Sequence, residues 1–383
     1  MKRILKSSVS SASAGVSFKA AAMVAAAILP EEMIVQIVTR LPVKSVGRCR
    51  CVCKRWRTLF SDPQFAKLHF QCAPKHQTLL LSRNFKLEIL NLSYRLSFGK
   101  ESLVLQNLNA PFDHTWAVFI GSCNGLVASY LSRSFLQQES LFIWNPSTRF
   151  FKKLPSRGNT SQISIFGFGY VSATDEYKAV INAEIFSSKT ESWKRIEIPR
   201  FRIASSCGVL FGEALHWLFY PDVERQQVPN LYAFDLEEEE FSVMKLPSAF
   251  QTLGLKNCFI CQVGVSCEGC LYVMVNNPRW HCGKLAYYEI DFWVMREYGN
   301  SDSWTRSFGV RIPGQPERRD WYLHLQAILV REASAFVRNR CPREEEKLDM
   351  SIIHYRNEEE NSDMYMLDND AQDMVVYEES LLS

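Results

Sequence analysis

Length, composition and charge describe a folded protein with room for two or three domains. The chain has 383 residues, 47% of them hydrophobic and 22% charged, which excludes an intrinsically disordered protein as the default class. The formal net charge of +3 excludes binding to nucleic acid or membrane through overall charge alone, so any electrostatic effect must be local.

Cysteine content and hydropathy indicate the compartment. Twelve cysteines are too dilute in this length for a disulfide-stapled secreted scaffold, and no apolar run reaches the ~18 residues of a membrane-spanning helix. We therefore expect a cytoplasmic and/or nuclear protein without a membrane partner. Residues 1–27 are rich in Ser and Ala, with four basic residues and no acidic one. They are interpreted as a disordered leader or a transit-like segment, the alternative being that Met23 is the true start.

Residues 28–72 are predicted to form three short helices. The first begins near Pro30 and stops at Pro42, and the third begins at Pro63 with Phe65 and Leu68 facing inward. Apolar residues at helical spacing define the stripes of the first two helices: Ile34, Ile37, Val38 and Leu41, then Val46, Cys49, Cys53 and Trp56. Such a small unit cannot bury enough area to be stable alone, so part of its core is expected to belong to another protein.

The stretch LPEEMIVQIVTRLPVKSVGRCRCVCKRWRTLFSDPQF, residues 29–65, resembles the F-box. The resemblance implies binding to the Skp-type adaptor of a cullin-RING ubiquitin ligase, with Cys53 and Trp56 packing the F-box itself. It also implies eight adaptor contacts: Leu29, Pro30, Ile34, Ile37, Leu41, Pro42, Val43 and Val46. Gly47 and Cys49 depart from the family pattern, where larger apolar residues are usual, and weaken the predicted docking helix.

A basic run from Arg40 to Arg57 contains seven Lys and Arg residues and no acid. Nucleic-acid binding is the rival interpretation of such a run. The run lacks stacking aromatic residues, since Trp56 lies on the apolar stripe, and we expect a docking or solvated surface with no nucleic-acid partner.

From residue 73 the pattern changes to short strands separated by turns, with a repeat. Similar strand ends recur at Pro111, Pro155, Pro199, Pro247 and Pro313, spaced by 44, 44, 48 and 66 residues. A period of roughly 40 to 50 residues with several strands per unit is typical of β-propeller blades. Five or six four-stranded blades are predicted, with an insertion in the unit that ends near Pro313.

The segments NPSTRFFKKLP, FGFGYVSATDEYKAV, LHWLFY, LYAFDLEEEEFSVMKLP and FWVMREYGNSDSWTRSFGV resemble successive landmarks of the F-box associated, kelch-like domain of plant F-box proteins. Val171 departs from the pattern, and 331–373 aligns less well. The resemblance implies an α+β chain with the F-box at 28–72 and an all-β, kelch-like β-propeller domain at 73–383.

Catalytic and metal-binding motifs are mostly missing from the sequence. Cys258, Cys261, Cys267 and Cys270, with His281 and Cys282 nearby, have too short a gap between their pairs for a zinc ribbon, so no metal is predicted. FGFGYVS lacks the third glycine of a phosphate-binding loop and is interpreted as a tightly packed strand. His216 is interpreted as a structural histidine and Glu237–Glu240 as a hairpin tip. No cofactor is expected.

These features favour a non-catalytic specificity subunit of a ubiquitin ligase, in which the propeller binds an unknown target protein. Trp280 and Trp321 are candidate anchors for that target, by the general enrichment of Trp at binding hot spots. Two alternatives remain: a β-propeller enzyme or small-ligand binder, whose site would be assembled from distant loops, and an adaptor-bound scaffold without a ligase role.

Overall fold

The N-terminal unit consists of four helices. The structure of the protein is a computed structural model, and it describes residues 29–74, 77–83, 86–91, 106–108, 116–132, 140–157, 164–221, 229–247, 249–252, 259–281, 284–313, 324–331, 334–342, 348–356, 363–367 and 371–382. The predicted leader therefore lies outside the described residues. The helices are α1 (Glu31–Val38), α2 (Val43–Cys49), α3 (Lys54–Phe60) and α4 (Pro63–Cys72).

Local sequence sets the helix ends. Pro30 and Pro42 stand in extended conformation directly before α1 and α2, as the sequence predicts. At α4 the Asp62 side chain accepts a hydrogen bond from the Gln64 amide at 2.7 Å, which satisfies one of the free N–H groups of the first turn.

Two helix predictions are wrong. The second predicted helix is two helices, α2 and α3, because Cys53 is extended (φ −153°, ψ 167°) and its Sγ accepts the Trp56 amide instead of continuing the turn. The F-box unit thus has four helices rather than three. Leu68, predicted to face inward, is 40% exposed, and the fully buried residue on that face of α4 is His69.

The remaining elements are strands, apart from α5 (Ala249–Thr252) and a 3₁₀ turn at Ser301–Ser303. In chain order they are β1 (Gln77–Arg83), β2 (Lys86–Asn91), β3 (Gln106–Leu108), β4 (Trp116–Cys123), β5 (Leu126–Ser132), β6 (Ser140–Trp144), β7 (Phe151–Lys153), β8 (Phe166–Val171), β9 (Glu176–Ile181), β10 (Glu184–Ser187), β11 (Ser192–Arg195), β12 (Phe201–Ile203), β13 (Val209–Phe211), β14 (Ala214–Pro221), β15 (Asn230–Asp235), β16 (Phe241–Met244), β17 (Phe259–Val265), β18 (Leu271–His281), β19 (Lys284–Met295), β20 (Trp304–Pro313), β21 (His324–Arg331), β22 (Ser334–Pro342), β23 (Leu348–Arg356), β24 (Asp363–Leu367) and β25 (Ala371–Glu378).

Within the described residues these strands form six antiparallel sheets, which are the blades of a propeller. Blade 1 has the order β25-β1-β2-β3, so its innermost strand comes from the C-terminal part of the chain. Blades 2 to 6 follow in chain order, with β12 and β13 both pairing with β14 in blade 4. The inner strands adjoin in the series β25, β4, β8, β13, β17, β21 and back to β25, which closes the ring.

The predicted proline repeat marks the blade ends. Pro155, Pro199 and Pro247 follow the outermost strands β7, β11 and β16, and Pro313 ends β20. The long last spacing, predicted to be an insertion, lies largely in longer strands, because β18, β19 and β20 have 11, 12 and 10 residues. Pro111 lies outside the described residues.

Apolar side chains fill the spaces between neighbouring blades. Between blades 3 and 4, Trp217, Phe219 and Phe234 are completely buried. The predicted tight strand in FGFGYVS is β8, where a Cβ on Gly169 would lie 2.5 Å from a methyl group of Leu236. Close approach of neighbouring blades explains the glycine at this position.

The C-terminal segment adds to the core of the helices. Buried residues of all four helices pack together with Leu381, which is 4% exposed and follows β25. The sequence did not predict this contribution, and the expectation that another protein supplies part of the core stays a prediction. In the described ranges, no helix is both long and apolar enough to cross a membrane.

Candidate functional site

An apolar stripe lies exposed on the outer side of α1. It consists of Leu29, Met33 and Ile37, which are 38%, 45% and 50% exposed and follow one another at four-residue spacing. We call these three residues the α1 stripe. Four-residue spacing places Met33 and Ile37 on one face of α1, and Leu29 lies just before the helix begins, while Ile34 and Val38 are buried in the helical core.

The eight predicted contact residues divide by burial. Leu29, Pro30, Ile37 and Pro42 are exposed, and Leu41 is half-buried. Ile34, Val43 and Val46 are 5%, 7% and 0% exposed because they pack inside the helical core. In this structure the exposed residues can touch a partner directly, and the buried ones support the helices that carry them.

Met33 was missed by the sequence analysis. The sequence pattern grouped Ile37 with Ile34 and Val38, but Ile37 is 50% exposed, as Met33 is 45% exposed, whereas Ile34 and Val38 are buried. The signal was present as the four-residue spacing of Met33 and Ile37, beside that of Ile34 and Val38. It was hidden because both stripes are apolar.

Polar contacts hold the helices behind the α1 stripe. The buried His69 places its Nε2 2.8 Å from the carbonyl oxygen of Leu41, directly after α1. Arg55 of α3 pairs with Glu31 of α1, and the Arg50 guanidinium donates to the Phe60 carbonyl oxygen, with Nε at 2.8 Å. These contacts fix α1 relative to α3 and α4.

Trp56 and Cys49 lie in the interior of the helical unit. Trp56 is 6% exposed and meets Phe60 edge to face, with ring centroids 5.4 Å apart. A Cβ on Gly47 would meet no atom within 4 Å. The missing side chain at this departure from the family pattern therefore reduces the exposed surface of α2 and leaves the helical core unchanged. Cys49 is buried, and burial raises the pKa of its thiol.

The helices lie against turns of blades 2 and 3 at one end of the propeller. Lys67 of α4 lies 2.6 Å from Asp175 in the β8–β9 turn, and Tyr170 donates a hydrogen bond to the same carboxylate at 2.7 Å. The hydrogen bonds from Lys67 and Tyr170 hold the pKa of Asp175 below its usual value. A cleft of about 890 Å³ lies between α4 and the turns of blades 2 and 3.

Both predicted target anchors lie outside what the structure describes. Trp321 is not among the described residues, and nothing is described of the side chain of Trp280. Both predicted target anchors therefore stay predictions.

The described residues contain no candidate metal centre. There, no group of three or more His, Cys, Asp and Glu residues could hold a metal ion. Cys267 is exposed and Cys270 half-buried, while Cys258, Cys282 and the side chain of Cys261 are outside the described residues. Glu237–Glu240 forms the β15–β16 hairpin turn, as predicted.

Comparisons with known proteins agree with this architecture. The family described as "F-box-like" matches residues 26–71, and the "F-box associated beta propeller domain" matches residues 77–383. The Arabidopsis thaliana F-box protein CPR1 is 29% identical, covering 75% of this chain and 74% of that protein.

Two further Arabidopsis thaliana relatives give similar values. F-box protein At3g07870 is 30% identical, covering 74% of this chain and 72% of that protein. F-box protein At3g16210 is 29% identical over a shorter match, in which the chain spans 61% of its length. The helical unit, the closed propeller and both family matches agree: the chain belongs to the plant F-box proteins that carry an F-box associated β-propeller domain.

Proposed function

We propose that this protein is the substrate-recognition subunit of an SCF-type cullin-RING ubiquitin ligase, acting in the cytoplasm and/or the nucleus. The α1 stripe is the observation that carries the proposal, because it leaves three large apolar side chains partly exposed on or directly before an F-box helix. Exposed apolar patches of this kind mark protein interaction sites.

The surroundings of the α1 stripe define the partner. The exposed charged residues of α2 and α3 and their flanks are mainly basic: Arg40, Lys44, Arg48, Lys54, Arg55 and Arg57. An adaptor with an apolar groove and an acidic rim fits both features, since the groove removes the stripe from water and the rim complements the charge. A Skp-type adaptor is the partner that the F-box implies.

The propeller supplies the second binding function. The helices contact the β8–β9 turn, so a target bound at the other end of the propeller would not compete with an adaptor on α1. The protein itself performs no chemistry in this proposal. Holding the target close to the ubiquitin carrier raises the effective concentration of its lysines, which is sufficient for a receptor subunit.

The docking site is tested by comparing adaptor binding of two variants that add the same charge at neighbouring positions of α1. Ile37→Glu places a carboxylate in the α1 stripe, whereas Gln36→Glu adds the same charge at the exposed neighbouring position. We expect Ile37→Glu to weaken binding of a purified Skp-type adaptor about 30-fold or more, as for a hot-spot residue, and Gln36→Glu to bind like wild type. Equal affinities for wild type and Ile37→Glu, measured by calorimetry, would show that the stripe does not bind the adaptor.

A further inference from the structure

A short C-terminal segment runs from the propeller into the helices. After β25, Ser380 is completely buried and Leu381 is 4% exposed within the core of the helices. Leu382 packs at the edge of the same core. We call Ser380–Leu382 the tail segment. It is in contact with both parts of the molecule.

Asn145, at the end of β6, binds the tail segment through its side-chain amide. Its Nδ2 donates to the carbonyl oxygen of Leu382 at 2.7 Å, and to the Oγ and carbonyl oxygen of Ser380 at 3.1 and 3.2 Å. The Asn145 side chain is itself completely buried. Buried amide hydrogens without acceptors are costly, so these contacts tie the hairpin to the tail segment.

The oxygen of the same amide has a different role. Asn145 Oδ1 accepts the backbone N–H groups of Ser147 and Thr148, at 2.7 and 3.3 Å, which shapes the β6–β7 turn. This turn needs an acceptor at its first residue, and Asn or Asp can provide it.

The β15–β16 turn of blade 4 shows the turn without a tail segment. Asp235 Oδ1 accepts the N–H groups of Glu237 and Glu238 at 2.8 and 3.0 Å, and the Glu239 amide donates to the Asp235 carbonyl at 2.9 Å. Arg149 and Glu239 occupy the same turn position with φ of 64° and 60°. Asp235 is exposed, so an acid suffices there. The NH₂ group of Asn145 is not needed for the turn.

We infer that Asn145 is a positioning residue, which with the tail segment clamps the four helices onto blade 2 and fixes the direction in which the α1 stripe faces. The clamp operates whether or not an adaptor is bound. Its importance for presenting a target rests on the function proposed above, because the distance between adaptor and target then depends on the angle between helices and propeller.

The Asn145→Asp variant removes the clamp and keeps the turn. Its Oδ1 still accepts the two turn amides, but the NH₂ group becomes an oxygen that faces the Ser380 and Leu382 carbonyl oxygens and repels them. Asp235→Asn is the matched control, since it makes the reverse exchange in the equivalent turn. A chain ending at Ser380 provides a second variant, because it lacks Leu381 and Leu382 and leaves β6 and β7 intact.

Hydrogen exchange of the full-length protein measures the clamp. We expect amides of residues 43–72 and 373–380 to exchange at least about tenfold faster in Asn145→Asp, with β4 to β6 unchanged and Asp235→Asn like wild type. The chain ending at Ser380 is expected to accelerate exchange of the helices in the same way.

Three results would overturn the inference. The first is unchanged exchange of the helices in both Asn145→Asp and the chain ending at Ser380. The second is faster exchange in Asn145→Asp that is confined to blade 2. The third is an effect of Asp235→Asn on the helices equal to that of Asn145→Asp. Adaptor affinity of the wild type is measured in parallel. Loss of protection in the helices without any adaptor binding would support the clamp while rejecting the proposed function, so the two failures are distinguishable.

Discussion

At the scale of single residues, burial decides what His216 does. The ring is completely buried on β14, where Nδ1 lies 3.2 Å from the Val209 carbonyl oxygen and Nε2 lies 2.9 Å from the Tyr298 hydroxyl. Burial lowers the pKa of His216 to about 4, so the ring is neutral at pH 7. These contacts agree with the structural role that the sequence predicted for His216.

The depressed pKa of His216 predicts acid-sensitive stability. Above pH 6.5 the imidazole is neutral in both the folded and the unfolded state, and between pH 6.5 and about 4 only the unfolded state takes up a proton. Stability is therefore lost as the pH falls through this window, by about 2 kcal/mol between pH 7.5 and 5.0. Urea unfolding at both pH values should show a smaller loss for His216→Gln than for wild type. The exposed His281 provides the control: a His281→Gln variant is expected to keep the wild-type dependence, and an equal dependence in all three proteins contradicts the assignment.

At the scale of elements, the sequence predicted secondary structure well wherever the signal was local. Prolines before α1, α2 and within the first turn of α4 marked the helix starts, and glycine-containing turns separated the strands. The break at Cys53 was not predicted because Val46, Cys49, Cys53 and Trp56 keep helical spacing across it. Leu68 was misplaced because the fully buried position on α4 is taken by His69, a polar residue whose partner, Leu41, is distant in the sequence.

Alanine substitutions at two turn glycines, Gly125 in the β4–β5 turn and Gly269 in the β17–β18 turn, are expected to destabilise the protein to different extents. Gly125 and Gly269 have φ of 75° and 73°, so an alanine at either position is strained by about 1–2 kcal/mol. A Cβ on Gly125 would also lie 2.2 Å from Ser380 Oγ, whereas a Cβ on Gly269 meets nothing within 4 Å. Gly125→Ala should therefore destabilise the protein more than Gly269→Ala in urea unfolding, and it alone should expose the tail segment to exchange. Equal destabilisation would mean that the turn tolerates displacement of Ser380.

At the scale of the whole molecule, closure joins the two ends of the propeller. β25 pairs with β1 inside blade 1 and brings residues 77 and 378 together, and Leu381 then enters the helical core. The strand repeat and the family resemblance predicted a propeller and its blade period. They did not predict the tail segment, because Asn145 and Leu382 are 237 positions apart in the sequence and meet only in the folded propeller.

Ring closure predicts that truncations act on different parts of the molecule. A chain ending at residue 370 lacks β25, the inner strand of blade 1. Without β25, β1 loses its pairing strand and β4 loses the neighbouring strand of blade 1, so the cooperative unfolding of the propeller should be lost. A chain ending at Ser380 keeps β25 and should retain the propeller transition while the helices loosen. Calorimetric scans of the two chains check this, and a normal propeller transition in the shorter chain would contradict the closure.

Quantitative affinity purification of full-length protein with and without Ile37→Glu tests the central claim most directly. The wild type is predicted to recover a Skp-type adaptor and a cullin, and the variant to lose both. At least one other protein should be retained by the variant and should accumulate in cells that express it, because target binding by the propeller is intact while ubiquitin transfer is not. Recovery of the same adaptor and cullin by both proteins would contradict the account.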